Sequence, residues 1–229
     1  MNRNSFPVFR RHTFAPDMTA EMKNNILQRA EAMFFRYGIK SVTMDDIARE
    51  LGMSKKTLYQ FFENKNDLLT QIMDKEGERD IAITGAVLTH SENAIDELMG
   101  YARHGLEEFA KVMSCPTIVY DLQKYHRDIW DRFETDMNKR IYEGTKNNIA
   151  RGQKEGLYRE GLDSDIIAKL YVKKMMAIMD EDTFPTERYD KIRLFTQFLL
   201  YHVHGVATPK GIALFEMKLK ALFGNQPTI

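Results

Sequence analysis

Between Thr43 and Leu69 the chain reads TMDDIARELGMSKKTLYQFFENKNDLL, with Thr43, Ser54 and Asn64 spaced eleven and ten residues apart. Residues of these types accept hydrogen bonds from the orphan N–H groups of a first helical turn, so each marks a helix start. Asp46 follows Thr43 by three positions, an Asp variant of the capping box, and Asp67 stands in the same relation to Asn64. Asp45 and Asp46 suit the positive end of the helix dipole. Gly52 supplies the turn between the first two helices. The pattern predicts a helix over TMDDIARELG, a two-turn helix from Lys55 to Phe62, and a third from Lys65 to about Ile83. Ile47 and Leu51 face inward in this reading, and the small Ala48 lets a crossing helix approach closely.

The middle helix is too short to carry a good core face. Leu58 and Phe62 lie one turn apart and can pin it from behind. Lys55, Lys56, Thr57 and Tyr59 then fall on its N-terminal end and other faces. A short helix held from behind, with basic and hydroxyl groups in front, suits entry into a DNA major groove, where the first residues of a recognition helix meet base edges. Thr43 and Lys65 stand at helix starts on either flank, placed to clamp phosphates. Tyr59 combines apolar packing with a hydroxyl able to reach a phosphate. The alternative is a generic helical hairpin with a solvated polar face.

The segment GIKSVTMDDIARELGMSKKTLYQFFENKNDLL resembles the DNA-binding domain of the TetR family of bacterial transcriptional regulators: a glycine, a threonine-capped helix with Ile-Ala, a Gly-x-Ser turn, then Thr-Leu-Tyr, two aromatics and a lysine. The likeness covers about Ile26 to Ile72. Met53 departs from the common valine, and Lys56 stands where a small residue or proline is frequent, which puts an inherited operator sequence in doubt. The resemblance implies an all-α protein: an N-terminal three-helix helix-turn-helix DNA-binding domain joined to a larger helical ligand-binding and dimerisation domain. It implies a homodimer, usually a repressor, that binds a palindromic double-stranded DNA operator and is released by a small molecule. Carried over residue by residue, the DNA contacts are Thr43, Ser54, Lys55, Lys56, Thr57, Tyr59 and Lys65.

The rest of the sequence agrees with an all-helical reading. Six prolines and long stretches of 3.6-residue periodicity are present, without useful strand alternation or internal repeats. Residues 1–19 read as an extension, with Thr19 capping a first helix that buries Ile26, Ala30, Met33, Phe34 and Tyr37 and ends at Gly38. Arg10 and Arg11, beside Phe9 and Phe14, are candidates for a minor-groove arm, the alternative being a segment that packs on the body or is disordered. The DNA-binding domain is assigned to 20–72 and the ligand-binding and dimerisation domain to 73–229. In the latter, helices are expected from about Asn93 to Met113, over TIVYDLQKYH, from about Asp128 to Glu155, from a cap at Asp163 or Ser164 to about Glu181, from about Glu187 to Val206, and on to about Phe223. GLYREGLD is read as a loop between Gly156 and Gly161.

The chain is electrically neutral, with 33 Lys and Arg against 33 Asp and Glu, so a polyanion surface has to be local. Residues 1–75 carry 12 Lys and Arg against 9 Asp and Glu. The single cysteine, Cys115, fits a reducing cytoplasm, and no apolar run approaches the roughly 18 residues of a membrane span. No nucleophile elbow, phosphate loop or zinc spacing points to an enzyme or a cofactor. His104, His126, His202 and His204 do not pair with carboxylates at metal-ligand spacing.

The long helices carry methionine and aromatic residues that suit an adaptable pocket for a small apolar or amphipathic effector: Met99, Phe109, Met113, Tyr120, Trp130, Phe133, Met137, Met175 and Met179. Ordinary core packing is the competing reading, and a regulator with a filled core, controlled by a protein partner or without an effector, is the alternative function. For dimerisation, Ile192, Phe195, Leu199 and Val203 form one stripe, and Ile167, Leu170 and Tyr171 another. Together they would build an intersubunit four-helix bundle, the alternative being that both stripes pack only within the chain.

Overall fold

The computed structural model describes residues 16–113 and 115–223, without the side chains of 16–18, 112, 113, 116 and 221–223. The candidate arm with Arg10 and Arg11, and the side chain of Met113, lie outside the described residues. Ten helices are described: α1 (Pro16–Tyr37), α2 (Met44–Glu50), α3 (Lys55–Leu58), α4 (Lys65–His90), α5 (Ala94–Met113), α6 (Pro116–Tyr125), α7 (Arg127–Lys154), α8 (Ser164–Met179), α9 (Lys191–Val206) and α10 (Pro209–Phe223). Among the described residues the only extended pairing is one isolated antiparallel bridge between Tyr158 and Ala207. The chain divides into two compact units between Ile72 and Met73.

In the first unit α1 buries Ile26, Ala30 and Phe34 against Ile47 and Ala48 of α2, Leu58 of α3, and Leu68, Leu69 and Ile72 of α4. Gly38, at φ 80°, closes α1 by returning its N–H to the Phe34 carbonyl. The helix begins at Pro16, so Thr19 lies inside it and is not its cap. The locked φ of proline suits a first helical turn, where its missing N–H costs nothing. Regular helix in α3 stops at Leu58, four residues before the expected end. The N–H groups of Gln60 and Phe61 bond three residues back, to Thr57 and Leu58, and tighten the chain into a turn. Phe62 still bonds to the Leu58 carbonyl, and both side chains are sealed from solvent.

Helix α4 continues to His90, past its expected end near Ile83. Thr84 and Thr89 return their hydroxyls to the Asp80 and Gly85 carbonyls one turn back, so these polar residues are satisfied without leaving the helix. Asn93 then caps α5, accepting from the N–H groups of Ile95 and Asp96.

In the second unit the core gathers Ile95, Leu98, Met99 and Ala102 of α5, Ile149 of α7, Tyr171 and Ile178 of α8, Phe195, Leu199 and Val203 of α9, and Phe215 of α10. Helix α7 packs along α8. Asp163 caps α8, and Asp190 caps α9 by accepting from the Arg193 N–H. Helix α9 therefore starts at Lys191, later than Glu187; residues 185–189 form turns on the Pro185 carbonyl.

The segment read as a plain loop, GLYREGLD, holds the largest fully buried side chain, Tyr158. Its phenol donates to Asn148 Oδ1 at 3.0 Å, while Asn148 Nδ2 donates to the Ala94 carbonyl at 2.8 Å. Burial above all, then nearby Glu97, pushes the phenol far above its ordinary pKa, so it remains a donor. A Cβ on Gly152 would lie 2.1 Å from the Tyr158 ring. Arg159 N–H bonds to Val206 and Thr208 N–H to Leu157, tying the loop to the α9–α10 corner. Beside it Arg151 pairs with Glu155 and with Glu97, whose carboxylate is almost sealed from water, and Glu155 accepts the Ala94 N–H. The start of α5, the end of α7 and the α9–α10 corner thus meet on one buried tyrosine.

Two stability outcomes follow from this packing. Gly152→Ala should cost at least roughly 1–3 kcal/mol in urea unfolding, because the added methyl meets a ring with no room to retreat; unchanged stability would show that Tyr158 does not sit as described. His202, buried between Tyr171 and Phe198, has an Nε2 atom with no hydrogen-bond partner. Burial, then the charge of Lys174, lowers its pKa to about 4. Its neutral ring therefore adds stability fully present above about pH 6.5 and lost as pH falls from there through about 4, on the order of 3 kcal/mol in all. His202→Leu should flatten that part of the stability–pH curve, as read by thermal unfolding.

Candidate nucleic-acid interface

Thr43 has extended backbone angles and caps α2 through a complete capping box. Its side-chain oxygen accepts the Asp46 N–H at 3.2 Å, while its own N–H and hydroxyl donate to Asp46 Oδ2 at 3.0 and 2.6 Å. The hydroxyl bond is the largest cause holding the Asp46 carboxyl below its usual range, and Arg49 adds an ion pair at 3.2 Å. Gly52, at φ 61°, turns the chain after α2 in a conformation that L side chains rarely adopt. Its N–H returns to the Arg49 carbonyl and that of Met53 to Ala48. Ser54 then caps α3, accepting the Thr57 N–H at 3.1 Å, and its hydroxyl meets that of Thr57 at 2.8 Å.

These local bonds fix the direction of α3. Leu58 and Phe62 face the core, and Lys55, Lys56 and Tyr59 face solvent, Tyr59 being about half exposed. Ser54 is also exposed and Thr57 partly so. Five of the seven residues expected to touch DNA therefore share one short element. The two flanking residues are engaged inside the unit. Lys65 donates to the Ile39 carbonyl with its ammonium 5.9 Å from the centre of the Phe34 ring, while Thr43 is held by Asp46.

The sequence reading missed Asp45 as a partner. From the first turn of α2 its carboxylate binds the Lys55 ammonium across the turn. No periodicity rule relates residues ten apart on different helices; only the angle set by Gly52 brings them together.

The nine residues expected to form an effector pocket are dispersed. Met99 belongs to the core, and Met175 packs against it. Phe109, Trp130, Phe133 and Met137 are half-buried, with the Trp130 and Phe133 rings 6.3 Å apart. Tyr120 and Met179 are exposed; Tyr120 stands edge-on to Tyr125 with Lys124 over both rings. An open groove of about 470 Å³ lies in the first unit, lined by Met33, Tyr37, Val42 and the charged Asp46, Arg49 and Glu50. It lacks the apolar enclosure typical of an effector site.

The residues of the expected dimer stripes divide by exposure. Tyr171, Phe195, Leu199 and Val203 are buried within the chain's own core, while Leu170 and Ile192 are exposed and Ile167 is partly covered. The 3.6-residue period identifies a buried face but not which chain buries it. Among the described residues no group of three or more His, Cys, Asp or Glu could hold a metal ion, and no helix is long and apolar enough to cross a membrane. His104 instead bonds Asp80, which also accepts from Arg140.

Comparison with known proteins gives the same answer as this geometry. The family model described as bacterial regulatory proteins, tetR family, matches residues 26–72, the segment that holds α2, α3 and their supports. The HTH-type regulator YhgD of Bacillus subtilis is 38% identical over 55 residues, 24% of this chain and 29% of its own length. The repressor KstR2 of Mycolicibacterium smegmatis is 24% identical over 154 residues, 66% of this chain and 75% of its own. Among solved structures, a regulator from Cytophaga hutchinsonii superposes with TM-score 0.67 at 19% identity, covering 81% of this chain and 98% of that one. The SmeT–triclosan complex superposes with TM-score 0.65 at 18% identity, covering 82% and 93%. At these identities the structural likeness speaks for the fold, and the N-terminal match speaks for the family. Residues 26–72 of this chain are identified by that match as a DNA-binding domain of the tetR family of bacterial regulatory proteins.

Proposed function

We propose that this protein is a homodimeric transcriptional repressor that reads a palindromic double-stranded DNA operator with α3 and is released by a small apolar or amphipathic molecule held in its C-terminal unit. The observation that carries the reading is the posture of α3: Leu58 and Phe62 are sealed in the core while Lys55, Lys56 and Tyr59 stand in solvent. A recognition helix meets base edges with its first residues, and here those are the two lysines. Lys56 makes no hydrogen bond or ion pair among the described residues, so its ammonium is available to guanine O6 and N7. Ser54, Thr57, Tyr59, Thr43 and Lys65 supply the phosphate contacts around it. Such a protein works in the cytoplasm, where the DNA is.

Likeness to that family supports the dimer, and this chain offers a surface for it. On α8, Ile166, Leu170 and Lys174 recur every four residues; the first two are exposed, and the Lys174 ammonium lies 4.5 Å from the centre of the Tyr201 ring on α9. With exposed Ile192, these residues replace the buried part of the stripe as the self-complementary patch of a two-fold dimer. The effector reading draws support from SmeT, which is seen with triclosan, and from the repressor name of KstR2. Phe109, Trp130, Phe133 and Met137, half-buried on α5 and α7, are the candidate lining.

Selection of bound duplexes from a random pool should recover a palindrome. Lys56→Gln should then relax preference at one or two base pairs per half-site, worth roughly 1–3 kcal/mol each. An unchanged preference at every position would remove Lys56 as a base reader. Light scattering should find a dimer that Leu170→Glu splits into folded monomers. Phe195→Glu should instead unfold the chain, because it buries an unpaired carboxylate in the core. A dimer unaffected by Leu170→Glu would move the interface off this face of α8.

A further inference from the structure

We infer that Asp45 is a specificity-determining residue: its carboxylate holds Lys55 against the start of α2, weakening the grip on DNA of the wrong sequence and leaving base reading to Lys56. The inference rests on the DNA-reading role proposed above. It starts from a difference between two neighbouring carboxylates. Asp46 is consumed locally, accepting the N–H and hydroxyl of Thr43 and pairing with Arg49. Asp45, the second residue of α2, is turned the other way and takes the ammonium of Lys55, the first residue of α3.

Both members of this pair are well exposed, at 46% for Asp45 and 63% for Lys55. An exposed ion pair adds little to folding stability, and the turn it spans is already fixed by Gly52, Ser54 and the capping box. Its effect therefore falls on the surface that meets DNA. A lysine paired with a protein carboxylate brings no net charge to a phosphate. Non-specific affinity is set almost wholly by the number of phosphates neutralised and the counterions released, so holding Lys55 subtracts from it. A base contact made by Lys56 is not taxed in the same way, because it depends on hydrogen-bond geometry at one base pair. Asp45 thus lowers non-specific binding, in which α3 settles wherever its charges meet most phosphates, more than binding to the selected site, where the Lys56 base contact fixes α3 and leaves Lys55 on Asp45; the ratio between them rises.

The test uses the full chain, the duplex that the wild-type protein selects from a random pool, and a scrambled duplex of the same composition. Affinities for both are measured between 50 and 200 mM salt for the wild type, Asp45→Asn, Lys55→Gln and the double variant. Asp45→Asn leaves the Thr43–Asp46 capping box in place. On scrambled DNA it should steepen the logarithmic salt slope by about one for each recognition helix engaged. For two, that is about a tenfold greater fall in affinity across this salt range. The ratio of selected to scrambled affinity should shrink, and Lys55→Gln should abolish both changes. If Asp45→Asn leaves slope and ratio unchanged while the wild type still discriminates, the inference fails and the DNA-reading role stands. An equal effect in the Lys55→Gln background also overturns it, since Asp45 would then act on phosphates directly. Failure of the wild type to distinguish the duplexes overturns the DNA-reading role and this inference together.

Discussion

Leu58 and Phe62 sit one turn apart and reach the same core as Ile26, Ile47 and Leu68. A regular helix of four residues has too few internal hydrogen bonds to persist alone. Its stability is tertiary: two apolar anchors, each worth roughly 1.5–3 kcal/mol on burial, fix it from behind. The caps then decide its orientation. Ser54 satisfies the first turn, Gly52 sets the angle to α2, and Thr43 with Asp46 holds α2 itself. Every polar group on the front of α3 inherits its position from these few residues. The backbone that carries these five side chains is thereby held from behind.

Features that were legible in the sequence share one property: they are local. A cap, its partner three residues on and a glycine with positive φ act within one turn, so Thr43–Asp46, Ser54 and Asn64–Asp67 were found where they occur, and the cap of α8 was narrowed to Asp163 or Ser164. What escaped notice acts at long range. Tyr158 lies in a segment rich in Gly and charge, which reads as solvated loop, yet its burial comes from Gly152 six residues before and from the Ala94 region of α5. The signal for it was weak but present: a glycine in the interior of a long helix costs about 1 kcal/mol relative to alanine, which asks for a packing reason. The Asp45–Lys55 pair left no comparable trace.

The dimer stripe illustrates a different limit. Phe195, Leu199 and Val203 have the spacing of a buried helical face, and they are buried, but against Tyr171, Ile178 and Phe215 of the same chain. Periodicity measures exclusion from water and is silent about the excluding surface. The residues left for a partner, Leu170, Ile192 and Tyr201, are irregular in spacing because each belongs to the far side of a helix already committed to a core. Surface apolar residues are common enough that none of them would stand out singly.

The part of α4 that belongs to the second unit, residues 73–90, is held within that unit in a way that bears on the proposed action of an effector. Between residues 74 and 80 its links to α5 and α7 are charged: Asp74 with Arg132, Glu76 with Lys111, Asp80 with His104 and Arg140. Further along, Val87 meets the backbone at Gly100, where a Cβ would stand 2.5 Å from its methyl. The two ends of this segment therefore differ in kind. A close apolar contact resists displacement because a cavity would open, whereas polar links can exchange partners or water, at small cost for the exposed Asp74–Arg132 pair and at greater cost for the part-buried pairs of Glu76 and Asp80. A molecule bound against α5 and α7 shifts α4 only by the difference in its affinity for two arrangements. That difference need exceed only the cost of rearranging polar links if motion is confined to residues 74–80 with Val87 as the fixed point. Moving the whole helix would add the loss of the Val87–Gly100 contact, so under the proposed release by a small molecule the charged segment is where limited binding energy would have the greatest leverage.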